Sequence, residues 1–223
     1  MLHPEHQRRA YLQAMGIDVW LPRDAAEAEM SATVASPAGM DWTELRECVT
    51  ECTRCELAKT RTNTVFGVGS PNADWLIIGE APGAEEDRRG EPFVGRAGTL
   101  LDEMLRAIGQ SRDSVFIANI LKCRPPDNRD PRPEEAAECR QYLERQIELV
   151  QPKIILAVGK IAAQNLLGSN ETVGRMRGRP HDFGGIPLVV TYHPAYLLRS
   201  PSQKGKSWSD LCLATRLVAE YDA

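Results

Sequence analysis

No apolar run in this sequence approaches the roughly 18 residues that cross a bilayer, so no membrane partner is expected. The opening residues, MLHPEHQRRAYLQAMG, lack the apolar core of a secretory signal, and the expectation is a cytoplasmic protein. There is no surplus of positive charge. A formal net charge of -4 weighs against a basic coat for nucleic acid but leaves a local basic face open. No solenoid-type repeat is present. What is there is ordinary for a globular chain: 223 residues, 42% hydrophobic and 26% charged, enough to bury a substantial core. In a reducing compartment the six cysteines are expected as metal ligands or packing groups, not disulfides.

Residues 4–20 carry apolar positions at Tyr11, Leu12, Met15 and Val19, a short helix-like pattern. Residues 24–40 are small and polar, the composition of a disordered linker. Residues 1–40 are therefore read as an N-terminal extension, and 41–223 as the folded domain. DWTELRECVTEC opens that domain as a helix with Asp41 as its N-cap. Beyond residue 70 four continuous apolar runs, at 73–79, 114–121, 153–159 and 186–192, read as strands buried on both faces. Helical patterns follow them at 98–109, 132–150, 160–168 and 207–221. The alternation predicts an α/β fold whose mostly parallel sheet is covered on both sides.

Ligands bind such sheets at the carboxyl ends of the strands. Four strand ends bring Glu80, Asn119, Lys160 and His193 to one edge. The segment after the first strand, GEAPGAEEDRRGEPFVGRAG (79–98), holds five glycines and two prolines in a loop too long to be bland. It lacks the GK[ST] of a Walker A motif and is not GxGxxG. Phe93 within it reads as a core anchor or as a platform for stacking a base. Glu85, Glu86 and Asp87 read as solvated charges or complements to a helix start.

Cys52 and Cys55 form a C-x2-C half-site, and Cys123 and Cys139 a C-x15-C pair. Cys212 sits in an apolar run and reads as packing. Cys48 extends the half-site to C-x3-C-x2-C, but it precedes every strand, so its likeness to radical-enzyme spacing is accidental. Four thiolates suit zinc or an iron–sulfur cluster, and the wide second pair leans towards the cluster. Plain packing of these cysteines stays open at this level.

Taken together, GEAPGAEEDRRGEPFVGRAGTLLD, NILKCRPPDNRDP, HPAYLLR and the four-cysteine pattern closely resemble the family-4, iron–sulfur uracil-DNA glycosylases, over about residues 45–220. The resemblance implies a three-layer α/β/α sandwich with a four-stranded parallel central sheet. It implies a 4Fe–4S cluster on Cys52, Cys55, Cys123 and Cys139, and uracil-containing DNA, single- or double-stranded, as substrate. It implies Glu80 and His193 as catalytic groups, and Ala81, Gly83, Phe93 and Asn119 around the extruded base. Phe93 would stack on uracil. Asn119 would donate to O4 and accept from N3–H, a pattern that cytosine inverts. His193 would donate to O2 as negative charge gathers there. Glu80 would position water. In the best-known branch an aspartate follows one position later, where this chain has Ala81. Arg175, Arg177 and Arg179, and Arg199, Lys204 and Lys206, flank the pocket edge and are expected on phosphates. Leu197, Leu198 or Arg199 would be the wedge in the duplex.

No insertion of the kind used by the covalent branch lies between Phe93 and Asn119. Two rival readings are an iron–sulfur DNA-binding protein without turnover and a nucleotide hydrolase using the GEAPG loop. A monomer is the default, and a replication or repair protein is the expected partner of the N-terminal extension.

Overall fold

The computed structural model describes Met15 and residues 36–221. The helical pattern at 4–20, Met15 apart, and residues 24–35 of the polar stretch lie outside the described residues. The first described helix, α1 (Trp42–Glu51), starts as the sequence predicts. Asp41 Oδ1 accepts from the N–H groups of Thr43 and Glu44, and Glu44 returns the contact to the Asp41 N–H. This reciprocal box satisfies donors that a helix start leaves open.

The four predicted strands are β2 (Trp75–Gly79), β3 (Phe116–Asn119), β4 (Ile154–Val158) and β6 (Ile186–Thr191). They pair in parallel in the order β3-β2-β4-β6. Both faces of each are covered, which is why their sequences run apolar without alternation. Leu76, Ile78, Ile155, Ala157, Leu188 and Val190 face α1, α4 (Pro133–Val150) and α5 (Lys160–Leu167). Ile77, Ile117, Ile154, Leu156 and Val189 face α3 (Arg96–Ala107), α7 (Pro194–Arg199) and α8 (Lys204–Tyr221). Two further short helices, α2 (Ala84–Arg89) and α6 (Val173–Met176), lie in the loops after β2 and α5.

The sheet is wider than the four strands predicted. Two antiparallel edge strands extend it to six: β1 (Val68–Gly69) on β3, and β5 (Pro180–Phe183) on β6. Strands β1 and β5 are short and partly solvent-facing, so they carry no apolar signature. Pro180 is tolerated because an edge strand need not donate on both sides. Gly184 and Gly185, at φ 60° and 90°, close the β5–β6 hairpin as a two-residue turn that needs positive φ. The order of strand addition reverses between β2 and β4, and their carboxyl ends open the crevice that holds the site.

Candidate active site

β2 and β3 end side by side, with Gly79 in register with Asn119. The ladder continues into the loops, since the Ile120 N–H donates to Gly79 O and the Leu121 N–H to Glu80 O. β4 leads into Gly159–Lys160 and β6 into Tyr192–His193. These ends, with Ala81, Gly83, Glu86, Phe93, Arg129 and Arg199, line a cavity of about 770 Å³. Glu80, Ala81, Gly83, Phe93, Asn119 and His193 are thus brought to one site.

Phe93 combines both of its sequence readings. Its ring is 6% exposed and packs into the core below α3, yet it also lines the cavity and stacks on the His193 ring at 5.6 Å and 26°. Its backbone has φ 54°, a costly conformation for a bulky residue and one that concentrates at functional sites. Two glycines make room for it. A Cβ on Gly98 would lie 1.7 Å from the Phe93 carbonyl oxygen. A Cβ on Gly79 would lie 2.4 Å from Asn119 Oδ1 and 2.6 Å from Phe93 Cζ. Ring and amide therefore rest directly on the backbone at the end of β2. Gly79→Ala is expected to cost about 1–3 kcal/mol through overpacking. Thermal unfolding reads this, and an unchanged midpoint would show that ring and amide stand further off.

His193 is the N-cap of α7. Its Nδ1 accepts from the Ala195 N–H at 3.1 Å, which leaves the hydrogen on Nε2. Burial, then the nearby Arg199, against Glu86, hold its pKa down to about 4. The ring is neutral at pH 7 and presents Nε2–H as a donor. Glu80 is displaced the opposite way. Burial and then Asp130 raise its pKa to about 7, with Lys160 opposing.

A second, smaller cavity is lined by Cys52, Cys55, Cys123 and Cys139. These come from the end of α1, the turn after it, the loop after β3, and α4. Arg61 spans the two arms: one guanidinium nitrogen donates to Cys52 O at 2.7 Å and to Cys123 Sγ at 3.2 Å. The Lys122 N–H donates to Cys139 Sγ at 3.2 Å. Burial pushes the Cys139 thiol up to about 12 and raises Cys123 and Cys55. Among the described residues no three His, Cys, Asp or Glu side chains close on a single-ion position. Lys122 is 1% exposed, and its ammonium donates to two neutral acceptors, Asn119 O at 2.9 Å and Gln146 Oε1 at 2.6 Å. Burial lowers its pKa to about 8, and the groups able to oppose this are Cys139 and Cys123, which bear charge only as thiolates.

The family model of the uracil DNA glycosylase superfamily matches residues 66–214, a span that holds every residue named at the larger cavity, while Cys52 and Cys55 of the smaller one precede it. The chain belongs to the uracil DNA glycosylase superfamily. A type-4 uracil-DNA glycosylase of Archaeoglobus fulgidus is 44% identical over 170 residues, covering 73% of this chain and 85% of the relative. One from Thermotoga maritima is 46% identical, covering 72% and 87%. One from Pyrobaculum aerophilum is 42% identical, covering 78% and 93%.

Within this glycosylase-superfamily chain the basic residues separate into two kinds. Arg175, Arg199, Lys204 and Lys206 are exposed, and Arg199 also lines the cavity. Arg177 departs from the expectation. It grips Asp210 through two contacts of 2.9 and 2.7 Å and donates to Lys206 O at 2.6 Å. Asp210 is fully buried and needs a cation, so this guanidinium is committed inside the fold. Arg179 faces Glu171 at 3.8 Å. Leu197 is 1% exposed in the core and is no wedge; Tyr196 and Leu198 are the exposed apolar side chains of α7.

Glu86 and Asp87 are not solvated charges. Glu86 Oε1 accepts from the Val94 N–H at 3.1 Å and lines the cavity. Both stand in the first turn of α2, so the other reading offered for them, complements to a helix start, holds. Asp87 is buried and accepts from the Thr62 N–H. Only Glu85 is a surface charge, paired with Arg88.

Proposed function

We propose that this protein excises uracil from DNA by hydrolysing its N-glycosidic bond, and that the cavity at the strand ends receives the extruded base. The observation that carries the reading is the convergence of Phe93, Asn119 and His193 on one cavity with Glu80 at its wall. A base buried in a stack has to be flipped out, at a cost of about a few kcal/mol. Stacking on Phe93 returns about 1–3 kcal/mol of it. The Asn119 amide reads the uracil edge, donating to O4 and accepting from N3–H, and leaves cytosine with unpaired groups. As the glycosidic bond lengthens, charge flows onto the base, and His193 Nε2–H donates to O2. Backbone N–H groups around Glu80 and Ala81 add to that stabilisation. Glu80, as carboxylate, orients the water that adds to the sugar. Arg175, Arg199, Lys204 and Lys206 contact phosphates, without Arg177.

The four-thiol site fits a 4Fe–4S cluster better than a single ion. Two cations and two donors aimed at sulfur surround it, and a fully buried ammonium beside it has only thiolate charge to answer it. Cys52, Cys55, Cys123 and Cys139 would hold the cluster. When bound it supplies an anionic cross-link between α1, the loop after β3 and α4, and no bond-breaking step.

The test is a gel assay on single- and double-stranded oligonucleotides with one uracil, followed by alkaline cleavage of abasic sites. Scission confined to uracil strands is expected; none would overturn the reading. Glu80 adds a pH signature. Its carboxylate forms as pH rises through about 7, so kcat/KM climbs over that range. Glu80→Gln is expected to flatten the climb and lower the plateau about tenfold. The stability effect has the opposite sense. A carboxyl with raised pKa favours the fold below pH 4.5 and loses that contribution as pH rises through about 7, so Glu80→Gln gains on the parent in melts at pH 8.

A further inference from the structure

We infer that Arg112, which lies outside the cavity, is the positioning residue that sets the Phe93 ring for uracil; the inference rests on the function proposed above. Arg112 sits in the loop between α3 and β3. One guanidinium nitrogen donates to Phe93 O at 3.1 Å and to Asp102 Oδ1 at 3.0 Å. Another donates to Pro92 O at 2.6 Å and to Glu91 Oε1 at 3.1 Å. A single planar fork thus takes two successive carbonyls of the Glu91–Pro92–Phe93 turn and is itself aligned by two carboxylates, one on the turn and one on α3.

The turn needs such a clamp. Phe93 stands at φ 54°, where a non-glycine residue persists only if its surroundings over-determine it. On one side the Phe93 carbonyl is packed against Gly98 of α3 so closely that no Cβ fits between them. On the other it is held by Arg112. Rotating that peptide would swing the ring away from His193 and from the Asn119 amide, which both depend on where it lies. Three of the four contacts join segments far apart in sequence, so the clamp ties the base platform to α3 and to the start of β3. The fork is specific to arginine. A lysine brings one point charge and reaches only part of the acceptor set.

The role differs from plain structural support in what it controls. A clamp on the ring sets how well the base is held, so its loss shows in KM and in inhibition by free uracil. It also compounds with loss of the ring.

The experiment compares Arg112→Met, Arg112→Lys, Phe93→Ala and Arg112→Met/Phe93→Ala in the full chain, with kcat, KM, the inhibition constant of free uracil, and thermal midpoints. Arg112→Met is expected to weaken uracil inhibition and to lower kcat/KM roughly ten- to hundredfold, as small misplacements at reacting centres do. Arg112→Lys recovers part of the loss. In the Phe93→Ala background, Arg112→Met adds little, because the ring through which it acts is gone. Equal losses in both backgrounds would overturn the inference, as would wild-type uracil inhibition in Arg112→Met. If Arg112→Met does not fold, the Lys variant and Asp102→Asn carry the same comparison, with the same overturning results. A Phe93→Ala enzyme with full uracil affinity would instead sink the proposed platform, a distinct failure.

Discussion

Replacing His193 with asparagine is expected to lower kcat for uracil excision by about 10²–10³ with the fold retained, the scale of losing one donor to a developing anion. Asparagine is the discriminating choice. It is among the best N-caps, so it can take over the contact with the Ala195 N–H that holds the start of α7. It is too short to place a second donor where Nε2–H stands. A large fall in kcat with an unchanged melting midpoint at pH 7 therefore isolates the imidazole's role at O2. A His193→Asn enzyme with wild-type kcat would remove that role. The substitution also carries a pH signature in stability. His193 is held near 4 when folded, against 6.5 when unfolded, so it favours the fold above pH 6.5 and that contribution is lost as pH falls towards 4. The parent should lose stability over that acid range, and the asparagine variant should lose less.

Substituting Cys139 by serine is expected to remove visible cluster absorbance, reduce uracil excision, and lower the melting midpoint by about 10 °C. The size follows from Lys122. With the anionic group gone, its fully buried ammonium has only neutral acceptors, and an uncompensated buried charge costs about 3–5 kcal/mol. At about 2–4 °C per kcal/mol for a chain of this size, the shift is readily measured. Adding Lys122→Met should return part of the lost stability in the Cys139→Ser background while costing stability in the parent. The opposite signs are the test. A colourless Cys139→Ser protein with the parent's melting point and full activity would dismiss the cluster as the staple of these loops.

The four central strands and the residues at their ends were legible because burial on both faces leaves uninterrupted apolar runs. Edge strand β5 was not, although Phe183–Gly184–Gly185–Ile186 carries a hairpin signal, because Pro-His-Asp-Phe has neither the alternation nor the apolarity of a covered strand. Phe93 was ambiguous for a physical reason: its ring is both anchor and platform. Arg177 reads in the sequence as any loop cation, because Asp210, which holds it, lies 33 residues later. Arg112 carries no signal in the sequence, since two of its four partners are backbone carbonyls, which no residue pattern reveals.

With Nδ1 engaged by the Ala195 N–H and the ring at the cavity wall, the imidazole carries one hydrogen, on Nε2, and no imidazolium to spend at neutral pH. Surrendering that hydrogen would leave imidazolate, so in the proposed mechanism the base would depart unprotonated. Departure then scales with the acidity of the base's own N1. Under the proposed mechanism, ring systems that part readily with that proton in water would be released readily here, and poorly acidic ones such as cytosine would be held back even when they enter. A site built this way would sort by leaving-group quality as well as by shape, a filter that costs no additional side chain.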